Sequence, residues 1–316
     1  MDFDLNDDQR ALISALDQLL SRHSGPLPVG SAAHFQSGDA LERDLEEGGF
    51  YDIARQEGFG ALEAVILIEA VSRSPYVAEV AGSALVLPML SDAVLPRPIA
   101  FTEAPVRGPV RNLSPKGTLL VGTEEGVRVV DLSQAKVTPA QSYLAYPLAR
   151  LDTLAIDRAP LLKGADIEAF RQWSRLAVAA ETIGTMDAAI DVTTDYVRTR
   201  KQFGRALGTF QAIQHRLAEC VTMIHAARLL VREAAWSGKA TDALLAASYA
   251  QDAAIRVAYE ANQFHGAIGL TLEYPIHYWT YRLRVLHGEF GGSAHQGQAA
   301  AARLWAANEP IRDPLG

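Results

Sequence analysis

From about residue 164 onward the chain carries apolar residues at helical spacing with few interruptions. The spacing predicts helices at 165–200, 209–237, 240–265, 273–286 and 292–307. Four or more long helices with short connections bury their apolar faces as an antiparallel bundle. In the second of them Ile213, Leu217, Val221, Ile224 and Leu229 form a stripe expected to face other helices. The four alanines at 299–302 are strong helix formers. No internal repeat or low-complexity segment is present.

The start of the chain is also helical. Residues 4–23 read as an amphipathic helix with Leu5, Leu12, Ile13, Leu16, Leu19 and Leu20 on one face. Asn6 or Asp7 would cap it, and Ser24, Gly25, Pro26 and Pro28 would stop it. Residues 30–50 are polar and glycine-bearing, a loop or short helix, and further helices are expected at about 62–72 and 78–90. The pattern changes at Pro96. Short β-branched runs at 118–121 and 127–130, punctuated by Gly117, Gly122 and Gly126, read as strands, with 117–130 a hairpin. The expectation is a mainly α chain with a small β insert: an N-terminal helical domain at 1–96, a reduced β-domain at 97–160 and a helical bundle at 161–316.

Composition removes several function classes. With 316 residues, 49 % of them hydrophobic and 21 % charged, the chain can bury a sizeable core and is not disordered. A net charge of −8 without a basic run gives no footprint for nucleic acid. The single cysteine, Cys220, cannot form an intrachain disulfide and points to a reducing, cytoplasmic compartment. The acidic start MDFDLNDDQR lacks the basic and apolar regions of a signal peptide. No purely apolar run of about 18 residues suggests a membrane span.

Three strings carry chemistry. The first is Arg198-Thr199-Arg200-Lys201-Gln202-Phe203-Gly204-Arg205, followed by Phe210-Gln211-Ala212-Ile213-Gln214. Its basic cluster either complements a helix C-terminus or holds an anion, with Arg200 set for a phosphate. The second is Gln263-Phe264-His265-Gly266-Ala267-Ile268-Gly269-Leu270, then Glu273-Tyr274-Pro275. Its glycines serve either as an ordinary C-cap or for close backbone approach to a ligand. The third is Tyr281-Arg282 followed by Phe290-Gly291-Gly292-Ser293, with Ser293 as a possible N-cap. His215, His225, His265, His287 and His295 do not follow a glutamate at di-iron spacing, so no metal site is expected. His265 suits packing or a cofactor edge, and Trp173, Trp236, Trp279 and Trp305 suit core or interface anchors.

In this order, and on a helices–β–bundle plan, the strings resemble the acyl-CoA dehydrogenase family. Its members carry R-x-Q-F-G, F-Q-A-I-Q, Q-x-F-G-G-x-G-Y and Y-R-D-A segments, here RKQFGRALGTFQAIQ, QFHGAIGLTLEYP and YRLRVLHGEFGGS. The resemblance covers 165–307 well and the N-terminal part loosely. It implies FAD, subunit pairing and an acyl-CoA substrate. It also implies that Arg200, Gln202, Phe203, Gln263, Gly266 and Ala267 clamp the ADP part of FAD held by a neighbouring subunit. Ala267 replaces a family glycine and adds a methyl beside the pyrophosphate.

The departures from the family are as informative. Its chemistry removes an α-proton with a carboxylate and passes the β-hydrogen to flavin N5, so the base must lie within about 3 Å of that proton. The usual base is the glutamate of a Y-E-G-T turn, where this chain has Gly291; Glu289 is two residues upstream. Some members place the base eleven residues before the Q-x-F-G glutamine, which here is Asp252. Asp252 is therefore the candidate base, about 1.5 Å shorter in reach than a glutamate, where about 1 Å of misplacement costs on the order of a hundredfold. It is otherwise a polar residue on a solvated face. The segment that meets the flavin ring keeps Thr102, within Ala100-Phe101-Thr102-Glu103-Ala104-Pro105, and loses its G-S-D part.

This combination resembles the smaller subunit of heteromeric bacterial acyl-CoA dehydrogenases of sterol side-chain degradation. It implies a dimer or tetramer with a related subunit that completes the cofactor site. The alternatives are a self-sufficient homo-oligomer using Asp252 and a non-catalytic member of the fold.

Overall fold

The computed structural model describes residues 4–25, 27, 34–152 and 154–307. Helix α1 (Asp7–Arg22) begins at a capping box, in which the Asn6 side chain accepts from the Gln9 amide and the Gln9 side chain accepts from the Asn6 amide. It buries Leu12, Leu16 and Leu19. Pro26, Pro28 and residues 30–33 lie outside the described residues, so the stop expected at those prolines is not visible. Helix α2 (Asp39–Glu47) is the short helix in the polar stretch. Helix α3 (Ala61–Ser72) is buried along almost its whole length. The Gln9 amide donates to its Glu63 at 2.8 Å and ties α1 to it. Strands β1 (Gln36–Ser37) and β2 (Tyr76–Val77) pair in parallel.

The helix expected at 78–90 does not form as such. Only residues 81–86 are helical, wound as a single π-turn, followed by turns at 87–90. Glu79 is the physical reason. Its buried carboxylate accepts from the Gly82 amide, the Ser83 hydroxyl and the Ile99 amide, drawing the first turn toward the following strand. A Cβ on Gly82 would lie 2.0 Å from the Ile99 carbonyl, so only glycine lets the strand cross there.

The β insert is two small sheets. Strands β3 (Ile99–Glu103), β5 (Thr118–Thr123) and β6 (Gly126–Asp131) form one in the order β3-β5-β6, with β5 and β6 the expected hairpin. Strands β4 (Val110–Arg111), β7 (Val137–Pro139) and β8 (Leu148–Leu151) form the other, antiparallel in the order β4-β8-β7. Side-chain alternation divides the first sheet. Ala100, Leu119 and Val121 join a local core with Val110 and Ala149, closed by helix α4 (Leu154–Arg158). Ile99, Phe101 and Leu120 face the main core, which the N-terminal helices share with the bundle.

Helix α5 (Ile167–Thr199) runs through the centre, capped by the Asp166 carboxylate on the Ala169 amide. It crosses α3 at Gly184, where a Cβ would sit 2.1 Å from the Glu69 carbonyl. Strands β9 (Lys201–Gln202) and β10 (Arg205–Ala206) make a two-residue hairpin before helix α6 (Gln211–Ser237). Helices α7 (Ala240–His265), α8 (His277–Leu286) and α9 (Gly292–Ala307) complete the bundle. Three expectations change here. Ser293 lies inside α9 rather than capping it, because the chain turns helical one residue earlier, at Gly292. In the α6 stripe only Ile224 is fully buried, while Val221 and Leu229 are exposed. The face packed on the core is set instead by Cys220, Ile224, Ala227, Val231 and Ala234, because small residues allow α7 to approach closely. Helix α8 starts after Pro275, four residues later than the expected 273, as a residue preceding proline avoids helical geometry. Trp173 and Trp279 are buried, and Trp236 and Trp305 are exposed. No helix among the described residues is long and apolar enough to cross a membrane.

Candidate functional site

Two cavities with no lining residue in common contain most of the residues singled out in the sequence, Phe203 and Asp252 excepted. The first, about 450 Å³, opens where the end of α5, the start of α6 and the end of α7 meet. Arg200, Gln202, Gln263, Gly266 and Ala267 line it together, with Tyr196, Arg216, Phe264 and His265. Helix termini explain the gathering. Arg200 is the C-cap of α5, and its amide donates to the Tyr196 carbonyl at 2.8 Å. Gly266 ends α7 with φ +64°, and a Cβ there would meet nothing within 4 Å, so the backbone is bare toward open space. Ala267 is exposed on the wall.

Phe203 does not line this cavity. It sits at the tip of the β9–β10 hairpin, 87 % exposed, with its ring edge-on to Phe210. Phe203 and Gly204 both take positive φ, +54° and +80°, as a two-residue hairpin matched to strand twist requires.

The floor of the cavity is aromatic. His265 stacks on Tyr196 at 4.3 Å and contacts Tyr274 at 4.8 Å. Its Nδ1 lies 2.7 Å from the Ala261 carbonyl, which can only accept, so Nδ1 carries the proton and Nε2 is an acceptor. Burial holds the imidazole below its ordinary pKa, hence neutral. Nε2 is buried and has no hydrogen-bond partner among the described residues. Arg216, which the sequence reading missed, adds a second cation. It forms an ion pair with Glu260 on α7, which is 0 % exposed and also ion-pairs with Arg256 at 2.9 Å. Arg216 was hidden because a lone arginine inside a helical string shows its partner only once the α6–α7 register is known. Two guanidiniums, two side-chain amides, an orphaned acceptor and a bare glycine suit an anionic ligand that also carries N–H or O–H donors.

The second cavity, about 410 Å³, lies between β3 and the turn before α9. Thr102 lines it with Glu103, Ala104, Glu289, Phe290, Gly291 and His295. Its two carboxylates are engaged. Glu103 accepts from Arg171 at 2.6 Å. Glu289 accepts from Arg111 at 2.9 Å, while Arg111 also grips Glu181 with both terminal nitrogens. Burial opposes the Arg111 charge, and the two carboxylates outweigh it and hold the guanidinium above its ordinary range. The turn is fixed further: Gln251 donates to the Glu289 carbonyl, Gln296 donates to the Phe290 carbonyl, and Phe290 stacks on Phe101. Bringing Glu289 forward as a base would break a buried ion pair.

Gly291 has φ +90°, and a Cβ built on it would lie 2.9 Å from the His295 ring. The position is therefore closed to a larger side chain as well as lacking a carboxylate. Asp252 stands on the exposed face of α7 and lines neither cavity.

Residues 165–305 match the family described as acyl-CoA dehydrogenase, C-terminal domain. Among curated proteins, the chain is 26 % identical over 296 residues to the acyl-CoA dehydrogenase IpdE2 of Mycobacterium tuberculosis, covering 87 % of this chain and 91 % of that one. It is 30 % identical over 220 residues to IpdE2 of Mycolicibacterium smegmatis, covering 63 % of this chain and 70 % of the relative. Among solved structures, a chain of the ChsE4–ChsE5 complex from M. tuberculosis superposes with a TM-score of 0.70 at 20 % identity, over 98 % of this chain and all of that one, a likeness of fold. The strings that build the Arg200 cavity fall inside the matched span, and the chain belongs to the acyl-CoA dehydrogenase family.

Proposed function

We propose that this chain is a subunit of an FAD-dependent acyl-CoA dehydrogenase acting on an acyl-CoA of lipid or steroid catabolism. In this reading it works with a related subunit, as a dimer or tetramer, and contributes the ADP-holding half of a shared FAD site. The observation that carries the reading is the contrast between the two cavities. The Arg200 cavity is open and equipped for a diphosphate: cations on two helices, the Gln202 and Gln263 amides and the bare Gly266 backbone. The Thr102 cleft offers no free carboxylate, and His295 occupies the space beside Gly291.

When bound, FAD would supply a hydride acceptor for the β-carbon of the thioester. The roles of this chain are to bind and to orient. Arg200 would neutralise phosphate charge, and Gln202 and Gln263 would supply directional hydrogen bonds. The partner subunit supplies the proton acceptor for the α-carbon. Asp252 is exposed on the outer face of α7.

The test is the visible absorbance of the purified chain after FAD is supplied in excess and then removed, alone and co-expressed with the related subunit. The chain alone is expected to be colourless and inactive, and the assembly yellow and active. A yellow, active homo-oligomer would overturn the half-site reading. Replacing Asp252 by Asn in the active assembly covers the other base: loss of turnover with flavin retained would make Asp252 the proton acceptor.

A further inference from the structure

The geometry points to Arg216 as a pre-organised phosphate-binding residue of the Arg200 cavity, the one that makes it select a diphosphate over an uncharged nucleoside. The inference rests on the proposed ADP-holding role and assigns a binding residue beyond those the family resemblance carries over.

Three observations support it. Arg216 sits on the second turn of α6 and lines the cavity while its side chain stays 35 % exposed. It is held from two sides, by a terminal nitrogen paired with Glu260 and by its guanidinium lying 4.9 Å from the Phe264 ring centroid. The Glu260 carboxylate is shared with Arg256, which is itself also paired with Glu219 at 3.6 Å, so Glu260 is not given over to Arg216 alone. Glu260 thus holds the Arg216 side chain in place and leaves part of its guanidinium open to the cavity. The Arg216 guanidinium has five N–H donors, and its pair with Glu260 occupies one nitrogen. Arg200 is fully out at the rim and carries no side-chain pairing among the described residues, so it must be ordered by the ligand. A cation ordered beforehand loses less freedom on binding than one ordered by the ligand.

The test is calorimetric titration of the full-length chain with ADP, inorganic pyrophosphate and adenosine. Wild type is expected to bind ADP and pyrophosphate. Arg216→Ala should weaken ADP at least about tenfold, in line with loss of a charge-assisted pairing, while adenosine changes less than about twofold. Arg216→Lys should recover part of the ADP affinity, which a merely structural loss would not allow. Thermal unfolding of each variant identifies any that fails to fold. If Arg216→Ala binds ADP like wild type while Arg200→Ala does not, the inference about Arg216 is wrong and the ADP-holding role stands. If wild type binds neither ADP nor pyrophosphate, the ADP-holding role falls, and the assignment of Arg216 with it.

Discussion

A single methylene carbon at position 291 would meet the His295 ring at 2.9 Å, on a backbone with φ +90°. Restoring a glutamate there is the obvious repair of the missing base, and the local geometry opposes it twice. A non-glycine residue in left-handed geometry costs about 1–2 kcal/mol, and the His295 ring must also be displaced. Gly291→Glu is therefore expected to lower stability by about 2–3 kcal/mol in denaturant titration. It should give no acyl-CoA-dependent flavin reduction in an anaerobic assay. A stable Gly291→Glu protein that reduces flavin without its partner would show that His295 is no obstacle. At this scale the gathering of Arg200, Gln202, Gln263, Gly266 and Ala267 around one cavity was readable because they fall in two short strings whose spacing survives folding. The Arg111–Glu289 pair was not, since its members stand 178 positions apart and only the sheet-on-bundle packing brings them together. That Phe203 stands apart from the Arg200 cavity was not legible for a related reason, since the hairpin turn that carries its ring away depends on two consecutive positive φ values.

The elements whose bounds the apolar period placed most closely are the long helices α5, α6 and α7, although the stripe it picked out on α6 is not the buried one. The π-turn at 81–86 departed from it because one buried carboxylate competes for the backbone donors of a helix start. The same carboxylate makes the junction between this turn and β3 sensitive to pH. Burial pushes the Glu79 carboxyl up to about 7 from an ordinary 4.5, against hydrogen bonds from Ser83, Ile99 and Gly82 that lower it. Between these two values the unfolded chain has released the proton and the folded chain keeps it. The folded state therefore binds more protons, and stability falls as pH rises through that window. The contribution is complete below about pH 4.5, lost above about pH 7, and on the order of 3 kcal/mol in size. Glu79→Gln cannot ionise, so denaturant midpoints measured from pH 4.5 to 7.5 should fall less steeply for the variant than for wild type. Glu42, whose carboxyl is also raised by burial, titrates in both proteins and largely cancels in the comparison. Parallel curves would mean that Glu79 is ionised throughout.

Across the whole molecule, the outer faces of α6 and α7 carry more exposed apolar surface than an isolated helical bundle needs. Val221, Leu229 and Trp236 share one stripe on α6, and Leu245, Tyr249, Ile255 and Tyr259 share one on α7. Where α7 meets α8 the surface deepens into a largely apolar cavity of about 540 Å³, walled by Ile255, Tyr259, Leu270 and Leu283 with Arg284 and His287 at hand. It shares Gln263 and Gly266 with the Arg200 cavity, so whatever covers it also borders the proposed ADP site. In the proposed assembly that continuity makes the related subunit the occupant, because a chain completing the proposed ADP site would reach the same rim. Burying a side chain such as isoleucine contributes about 1.5–3 kcal/mol, and a charge placed there instead must be desolvated without a partner. Ile255→Asp should therefore weaken assembly with the related subunit by at least about a hundredfold, read as loss of the heteromeric species in sedimentation velocity. The unfolding free energy of the chain alone should stay within about 0.5 kcal/mol of wild type, since the side chain is half exposed there. Loss of flavin from the mixture in step with loss of the heteromer would tie the apolar face to the cofactor site. An Ile255→Asp chain that still assembles would move the partner to another surface and leave this one unexplained.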